Sequence, residues 1–233
     1  MIELTRVTVT APPVDRHEPP ATLLSEITLR LDEPRICVIG ANGSGKSTLL
    51  RVIAGLRPPS GGSVRVEGID AVAERRRVRG VVGFVFTDPL AQLVTPTAVE
   101  DVELSLRQHV RDRRQRRMLA LRLLEDKGLG GLAHRSIYDL SGGERQLVAL
   151  TSVLAVEPRV LVADEPTTLL DLRNTSHLRG MLSQLPQQVI YSTHDLDFAL
   201  DADRAIVIDN GRVAADGEPA AAIAHYRALM AGA

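Results

Sequence analysis

Apolar and polar residues alternate in several short stretches near the start of the chain. Residues 2–9 alternate loosely and residues 27–31 alternate strictly, so each is predicted to form a half-buried strand. The next stretch, residues 36–39, is continuously apolar, as expected for a strand covered on both faces. The proline-rich stretch 12–20 is predicted to be a surface loop between the first two strands.

Strands and helices alternate along most of the remaining chain. Residues 48–54 are predicted to form a helix that ends near Gly55, and a closing helix is predicted from Glu218. Further strands are predicted at residues 64–67, 81–86, 160–163, 189–192, 205–209 and 212–215. The last two flank Asn210-Gly211, which is typical of a type I′ hairpin turn. This alternation predicts a parallel sheet.

One helical block interrupts the alternation. Between about residues 98 and 155 the pattern is mainly helical, with Val99, Val102, Leu106 and Val110 spaced three or four apart. The block is therefore predicted to form a separate lobe, about residues 89–155, inserted in one domain. Residues 1–88 and 156–233 would form the core of that domain.

Composition and charge narrow the classes of partner. The 233 residues are 44% hydrophobic and 24% charged, and the formal net charge is −1. That charge gives no basic field for nucleic acid, so no nucleic-acid partner is expected. The basic runs 75–77 and 111–117 are predicted to be solvated helix faces.

Targeting and redox signals are sparse. The single cysteine, Cys37, lies in an apolar run, so we expect a buried thiol and no disulfide within the chain, which suits a reducing compartment. No signal peptide is expected, and no apolar run reaches about 18 residues. If the protein works at a membrane, a partner is expected to hold it there.

The run from Gly40 to Ser47 fits the pattern G-x-x-x-x-G-K-[ST] between a strand and a helix. Glycines let successive backbone N–H groups turn toward phosphate oxygens, and the helix start adds a partial positive charge. Lys46 is expected to reach the β- and γ-phosphates of a nucleotide triphosphate, and Ser47 to bind Mg²⁺. The residues predicted to hold the nucleotide here are Gly40, Ala41, Asn42, Gly43, Ser44, Gly45, Lys46, Ser47 and Thr48.

Two acids follow the buried strand at residues 160–163. Asp164 is predicted to hold Mg²⁺, directly or through water, and Glu165 to polarise the attacking water. Acids at a strand end can also cap a turn. Together with the phosphate loop, however, they form the expected second half of a nucleotide triphosphatase site.

A third motif is Leu140-Ser141-Gly142-Gly143-Glu144. Ser141 and Glu144 have the spacing of a capping box, which predicts a helix start. Each glycine in the first turn would cost up to about 1 kcal/mol relative to alanine if fully helical. A cap alone gives no reason for them, so an anionic group, such as a nucleotide phosphate, is expected to approach their N–H groups.

The order of these motifs resembles the ABC (ATP-binding cassette) ATPase family over essentially the whole chain. The resemblance implies an α/β fold with a P-loop NTPase core, an antiparallel β-subdomain and an inserted α-helical subdomain. It also implies a head-to-tail dimer, identical or mixed, in which Ser141, Gly142 and Gly143 contact the γ-phosphate held by a second subunit. By the same resemblance Asp171 is the D-loop acid and His194 contacts the γ-phosphate.

The segment Phe84–Val94 resembles energy-coupling-factor importers of vitamins and metal ions, where such a segment faces coupling helices of membrane subunits. That resemblance implies a peripheral protein at the cytoplasmic face of the membrane, with integral-membrane partners. Within the group the chain most resembles biotin-importer ATPases, with cobalt or nickel import as the next choice. Rival classes are a non-transport ABC ATPase of the DNA-repair or chromosome type and a subunit that hydrolyses ATP poorly.

Two positions depart from the family pattern. Thr87 occupies the position of the usual Q-loop glutamine. Thr87 is therefore predicted to serve Mg²⁺ with its hydroxyl; the alternatives are that Gln92 serves the site or that hydrolysis is slow. The region Val9–Pro12 lacks the aromatic residue that normally stacks on adenine, and His17 is either a substitute or an ordinary loop histidine.

Overall fold

The computed structural model describes residues 1–12 and 20–232. Most of the predicted proline-rich loop, with the candidate adenine contact His17, therefore lies outside the described residues. The strands are β1 Ile2–Ala11, β2 Ala21–Leu31, β3 Arg35–Ile39, β4 Gly61–Val66, β5 Ile69–Asp70, β6 Val82–Val85, β7 Val160–Ala163, β8 Gln188–Ser192, β9 Arg204–Asp209 and β10 Arg212–Gly217. The α-helices are α1 Lys46–Ile53, α2 Arg75–Val81, α3 Ala98–Leu106, α4 Arg113–Asp126, α5 Gly142–Leu154, α6 Leu172–Gln184, α7 Leu196–Ala199 and α8 Pro219–Ala231.

The strands form two sheets. The first is antiparallel, in the order β2-β1-β4-β5. The second has the order β10-β9-β3-β8-β7-β6; it is parallel from β9 to β6, and β10 joins it antiparallel. The fold class predicted from the sequence, an α/β core with an antiparallel sheet and an inserted helical segment, is confirmed.

The central sheet is covered on both faces, as the continuously apolar run in β3 predicted. Ile36 and Val38 pack with the antiparallel sheet and α1, whereas Cys37 and Ile39 pack on the opposite face with α3, α4 and α5. All four side chains are fully buried. Because parallel strands in such a sheet end at one edge, the residues that follow β3, β6, β7 and β8 gather there.

The helical block differs from its prediction at one junction. The helix predicted through Val110 ends at Leu106, whose carbonyl accepts from the N–H groups of both His109 and Val110. A new helix then begins, because Asp112 Oδ1 caps it by accepting from Gln115 N at 2.7 Å. Val110 keeps the apolar spacing of α3 although it lies beyond the end of that helix, so periodicity alone could not reveal where α3 ends.

The basic run 111–117 is a mostly exposed surface, as predicted. Its first two residues precede α4, which begins at Arg113. The hairpin turn is also confirmed: Asn210 and Gly211 have φ of 44° and 73°, both positive as type I′ requires. Among the described residues, none of the helices combines the length and the apolar character needed to cross a bilayer.

Candidate functional site

The phosphate loop connects β3 to α1, in the context that the sequence predicted. Gly45, just before α1, has φ of 114°, and a Cβ there would lie 2.8 Å from the carbonyl oxygen of Leu23. The loop is also held from the β9–β10 hairpin, because Gly211 N donates to Ser44 O at 2.8 Å. Backbone crowding from two neighbouring segments therefore explains why the loop requires glycine here.

Lys46 points back into its own loop. Its Nζ donates to the carbonyl oxygens of Gly40 at 2.8 Å and Ala41 at 3.0 Å, and lies 4.0 Å from Glu165 Oε1. A cavity of about 260 Å³ opens above the loop, and Asn42, Lys46 and Thr48 are part of its lining. A buried cation in a glycine-rich loop at a helix start is the arrangement that binds phosphate.

Ser44 adds a second feature that suits an anion. Its Oγ is buried and has no hydrogen-bond partner among the described residues. A buried hydroxyl without a partner is costly, so it indicates a bound group that completes it. The loop therefore fits a polyphosphate on the evidence of its own side chains.

The residues around Asp164 fit Mg²⁺. Asp164 follows β7 and is 2% exposed, and its Oδ1 accepts from Ser47 Oγ at 2.9 Å and from Ser192 Oγ at 2.8 Å. One carboxylate and a hydroxyl are the oxygen ligands that Mg²⁺ takes from a protein when phosphates and water complete its shell. The described residues hold no group of three or more His, Cys, Asp or Glu side chains that could bind a metal alone.

Glu165 and His194 meet at the carboxyl edge of the sheet. His194 Nδ1 lies 2.7 Å from Glu165 Oε2, and the His194 backbone N–H donates to the same oxygen at 3.2 Å. The Glu165 N–H donates to Ser192 Oγ at 2.9 Å. Glu165 also has φ of 50°, an uncommon conformation for a residue with a side chain, and such strain concentrates at functional positions.

Thr87 is brought to the same edge, whereas Gln92 is engaged elsewhere. Thr87 Oγ1 donates to the backbone oxygen of Asp164 at 2.9 Å. The Gln92 side-chain amide accepts from Phe86 N at 3.2 Å and donates to Ala149 O at 3.0 Å. This geometry favours Thr87 over Gln92 as the residue that acts beside the metal position.

The motif 140–144 starts α5 with the predicted capping box. Ser141 Oγ accepts from Glu144 N at 3.2 Å, and Glu144 Oε2 accepts from Ser141 N at 2.7 Å. The hydrogen bond from the Ser141 backbone N–H lowers the pKa of Glu144 below its usual range. The sequence thus located this helix start correctly.

The two glycines of the motif also have a reason within the chain. A Cβ at Gly143 would lie 2.8 Å from Asn174 Nδ2, and one at Gly142 would lie 3.2 Å from the backbone oxygen of Leu169. Packing of α6 and the segment before it against the start of α5 is therefore a reason for the two glycines that the sequence did not reveal. Approach of a phosphate is a second, compatible reason.

Asp171 lies in this second cluster. Its Oδ1 caps α6 by accepting from Asn174 N at 2.8 Å. No hydrogen bond or ion pair recorded among the described residues connects Ser141–Gly143 or Asp171 with the phosphate loop. The predicted residues thus form two groups: the phosphate loop with Thr87, Asp164, Glu165 and His194, and the starts of α5 and α6.

Two residues of the site escaped the sequence prediction, one that holds its acids and one that lines its cavity. Ser192, the last residue of β8, donates to Asp164 Oδ1 and accepts from Glu165 N. Its position two residues before His194 is the sequence feature that could have identified it. Leu23 of β2 is the apolar side chain lining the cavity, and no aromatic residue lines it within the described part of the chain. Nothing in the local pattern of β2 distinguishes Leu23 from its neighbours.

Comparison with known proteins decides the family. The profile of the family described as "ABC transporter" matches residues 24–168. The chain belongs to the ABC transporter family. It is an ATP-binding ATPase subunit of that family. An ABC transporter ATP-binding protein of Bartonella quintana is 43% identical over 204 residues, which cover 88% of this chain and 90% of the relative.

Two other relatives of this ABC ATPase have more specific names. The biotin transport ATP-binding protein BioM of Rhizobium etli is 40% identical over 208 residues, covering 89% of this chain and 92% of the relative. The energy-coupling factor transporter ATP-binding protein EcfA1 of Levilactobacillus brevis is 38% identical over 212 residues, covering 88% and 75%.

Solved structures match the same ABC fold. A dimeric post-hydrolysis state of the ATP-binding cassette MJ0796 bound to ADP and Pi has a TM-score of 0.85 and 31% identity, covering 94% of this chain and 99% of the other. The cbiO1 protein from Clostridium perfringens, part of the ABC transporter complex cbiONQ, has a TM-score of 0.80 and 26% identity, covering 98% and 92%.

The helical segment argues against the rival class of DNA-repair or chromosome ATPases, which by resemblance insert long coiled coils between the phosphate loop and the signature. Between Lys46 and Ser141 the longest helix is α4, with 14 residues. Such a helix is about 21 Å long and forms part of the compact core cluster. The structure therefore favours the transporter class, to which the named relatives belong, over the DNA-repair or chromosome class.

Proposed function

We propose that this chain is the ATP-binding subunit of an energy-coupling-factor-type importer. The observation that carries the proposal is the single cluster in which Ser47, Asp164, Glu165 and His194 meet under the phosphate loop. The names BioM and EcfA1 of its relatives support the importer class. Biotin or a similar vitamin is the proposed cargo, with cobalt or nickel as the next choice.

Two such subunits, identical or different, close around two ATP molecules in the proposed cycle. Lys46 and the loop N–H groups bind the phosphates in one subunit, while Ser141, Gly142 and Gly143 of the other contact the γ-phosphate. The separation of these two groups within one chain supports a site completed by a second subunit. So does the dimeric state of the MJ0796 cassette. Asp171 is assigned to the same interface.

Glu165 is the proposed general base, which accepts the proton of the attacking water. His194 holds the Glu165 carboxylate through Nδ1 and contacts the γ-phosphate. Mg²⁺, held by Ser47 and Asp164 with Thr87 beside them, would offset the charge on the phosphates. Lys46 stabilises the same charge from the loop side. Loss of the γ-phosphate then removes the bond between subunits and lets the dimer open.

A surface next to the site suits membrane subunits. Leu90 and Val94, in the segment that joins β6 to α3, are 39% and 72% exposed. A nearby groove of about 360 Å³ is lined by Phe84, Leu104 and Ser152, among others. Exposed apolar side chains beside a groove are typical of a protein-binding surface. We assign this surface to integral-membrane partners, which would place the protein peripherally at the cytoplasmic face of the membrane.

Nucleotide binding and turnover test the proposed site. Lys46→Ala is expected to weaken ATP binding about 100-fold, since a buried charged hydrogen bond contributes up to about 3 kcal/mol. Glu165→Gln is expected to keep ATP binding and the closed dimer while turnover falls about 100-fold or more. Micromolar or tighter ATP binding by Lys46→Ala would overturn the site. A wild type no faster than Glu165→Gln would instead favour a regulatory subunit.

Copurification tests the importer assignment. The tagged chain, extracted with mild detergent from its own cells, is expected to retain integral-membrane proteins, and Leu90→Ser/Val94→Ser to lose them. Met118→Ser is the matched control, because Met118 is 63% exposed on α4 and outside this surface. Retention of DNA-bound rather than membrane proteins would contradict the proposal. Radioactive biotin, cobalt or nickel uptake by the recovered complex then decides the cargo.

A further inference from the structure

Two glutamine side chains hydrogen-bond to the backbone of Phe86, one to its N–H and the other to its carbonyl oxygen. Its N–H donates to Gln92 Oε1 at 3.2 Å, and its carbonyl oxygen accepts from Gln146 Nε2 at 3.3 Å. Phe86 is the residue between the end of β6 and Thr87. Both bonds therefore act on the short connection that carries Thr87 into the site.

Both glutamines tie that connection to α5. Gln146 lies on α5, and the Gln92 amide donates to the carbonyl oxygen of Ala149 one turn further along the same helix. The Gln146 side chain is 1% exposed, and its Oε1 has no hydrogen-bond partner among the described residues. The hydrogen bond that Nε2 donates to Phe86 O is therefore the polar contact that the buried Gln146 side chain makes among the described residues.

The connection continues to the metal position. Thr87 Oγ1 donates to Asp164 O at 2.9 Å, and Asp164 N donates to Val85 O at 2.9 Å. Asp164 Oδ1 in turn contacts Ser47 Oγ at 2.9 Å. A continuous set of hydrogen bonds thus runs from the middle of α5 to the side chains assigned to Mg²⁺.

We propose that Gln92 and Gln146 are positioning residues that fix Asp164 relative to α5 through Phe86 and Thr87. Because Ser141 starts the same helix five residues before Gln146, contact of Ser141 with a nucleotide on the second subunit would adjust the site of its own subunit. The second half of this inference rests on the proposed two-subunit site. The first half requires only the contacts within one chain.

Gln92→Met, Gln146→Met and the double variant test the inference in the full-length protein. Methionine keeps the length and volume of glutamine but removes the amide. Gln115→Met is the matched control, because Gln115 is exposed on α4. We expect each single variant to lower kcat about threefold to tenfold, the effect of one net hydrogen bond. KM for ATP should change less than about twofold, since the phosphate loop is untouched.

The two glutamines should also behave as one unit. Because both hold the backbone of the same residue, Phe86, the double variant is expected to lose about as much kcat as the worse single variant, not the product of the two. Additive losses would show that each glutamine acts by itself and would overturn the shared role. Thermal unfolding of each variant checks that the fold is retained.

A distance measurement gives a readout apart from activity. Spin labels are attached to cysteines introduced at Met118 on α4 and at Val72 in the turn between β5 and α2. Both positions are exposed, and the native Cys37 is fully buried. Without the two amides, the distribution of label distances should broaden relative to the wild type before ATP is added. An unchanged distribution together with unchanged kcat would overturn the inference. If the labelled wild type itself fails to bind ATP, the proposed function falls instead.

Discussion

His194 Nδ1 lies 2.7 Å from Glu165 Oε2, at the carboxyl edge of the central sheet. The same carboxylate oxygen also accepts from the His194 backbone N–H, so two contacts fix the orientation of the two residues relative to each other. Preorganised groups lose less free energy on reaching the transition state. We therefore expect His194→Ala to lower the rate of phosphate release about 10- to 100-fold at saturating ATP, no more than the lower end of the range for a general acid–base group itself, because His194 acts through Glu165.

The effect of His194 should depend on Glu165. In a Glu165→Gln background the carboxylate that His194 orients is gone, so adding His194→Ala should lower the remaining rate by little. His177→Ala, on the distant helix α6, serves as the control for loss of a histidine. Equal losses from His194→Ala in both backgrounds would mean that the 2.7 Å contact has no part in hydrolysis.

Gly45→Ala should damage the phosphate loop more than Gly43→Ala does. Both glycines have positive φ, of 114° and 79°, but a Cβ at Gly45 would lie 2.8 Å from Leu23 O, whereas one at Gly43 meets no atom within 4 Å. Backbone strain alone costs of order 1–3 kcal/mol, and only Gly45→Ala adds a steric clash with backbone. Urea unfolding and ATP titration of the two variants measure the difference; equal losses would contradict the clash.

The capping box gives stability that depends on pH. The Ser141 backbone N–H holds the pKa of Glu144 below its usual range. A carboxyl with a lowered folded-state pKa stabilises the fold above its ordinary pKa, about 4.3, and loses that contribution as the pH falls through the lower value. Glu144→Gln should therefore be less stable than the wild type at pH 7, by about 1 kcal/mol or less.

The difference in unfolding free energy between the wild type and Glu144→Gln should vanish at acid pH. Below the folded-state pKa of Glu144 the wild-type side chain is also neutral, so urea unfolding at a series of pH values from 7 downward gives the comparison. Glu125→Gln is the control, since Glu125 is exposed near the end of α4. A gap that stays constant from pH 7 to the acid end would show that the Glu144 charge contributes nothing.

The fold was predictable where one local rule acted alone. The apolar run in β3, the glycine loop and the acids after β7 could all be read directly, because each follows from burial or from phosphate chemistry. The break between Leu106 and Arg113 could not, since Val110 extends the apolar spacing of α3 beyond its end and a single Asp112 side chain decides where α4 begins. A local side-chain cap, rather than apolar periodicity, decides the boundary there.

The site was predictable in its motifs but not in the contacts between them. Ser192, Gln146 and Leu23 belong to elements far apart in sequence, and their partners arise only when the sheet assembles. The same holds for Gly143, whose neighbour Asn174 lies 31 positions later in the chain, 174 − 143. Motif spacing reports contacts within one turn; it carries no information on which distant helix packs against it.

Cys37 should report opening of the central sheet. It is fully buried in β3, and burial, then the charge of Glu165, raises the pKa of its thiol well above the usual range. The thiolate is the reactive form, so a thiol reagent should label the folded protein only through transient unfolding. We expect slow labelling at pH 8 that accelerates in urea, with a midpoint matching global unfolding measured by circular dichroism.

ATP binding should slow that labelling in proportion to its stabilisation of the fold. At 100 times its Kd a ligand that binds only the native state adds about 2.7 kcal/mol, which lowers the open fraction about 100-fold. The Lys46→Ala variant, expected to bind ATP poorly, should show no such protection and is the control. Fast labelling of the folded wild type, unaffected by ATP, would show that Cys37 is reached by a local motion of β3 that is independent of the phosphate loop.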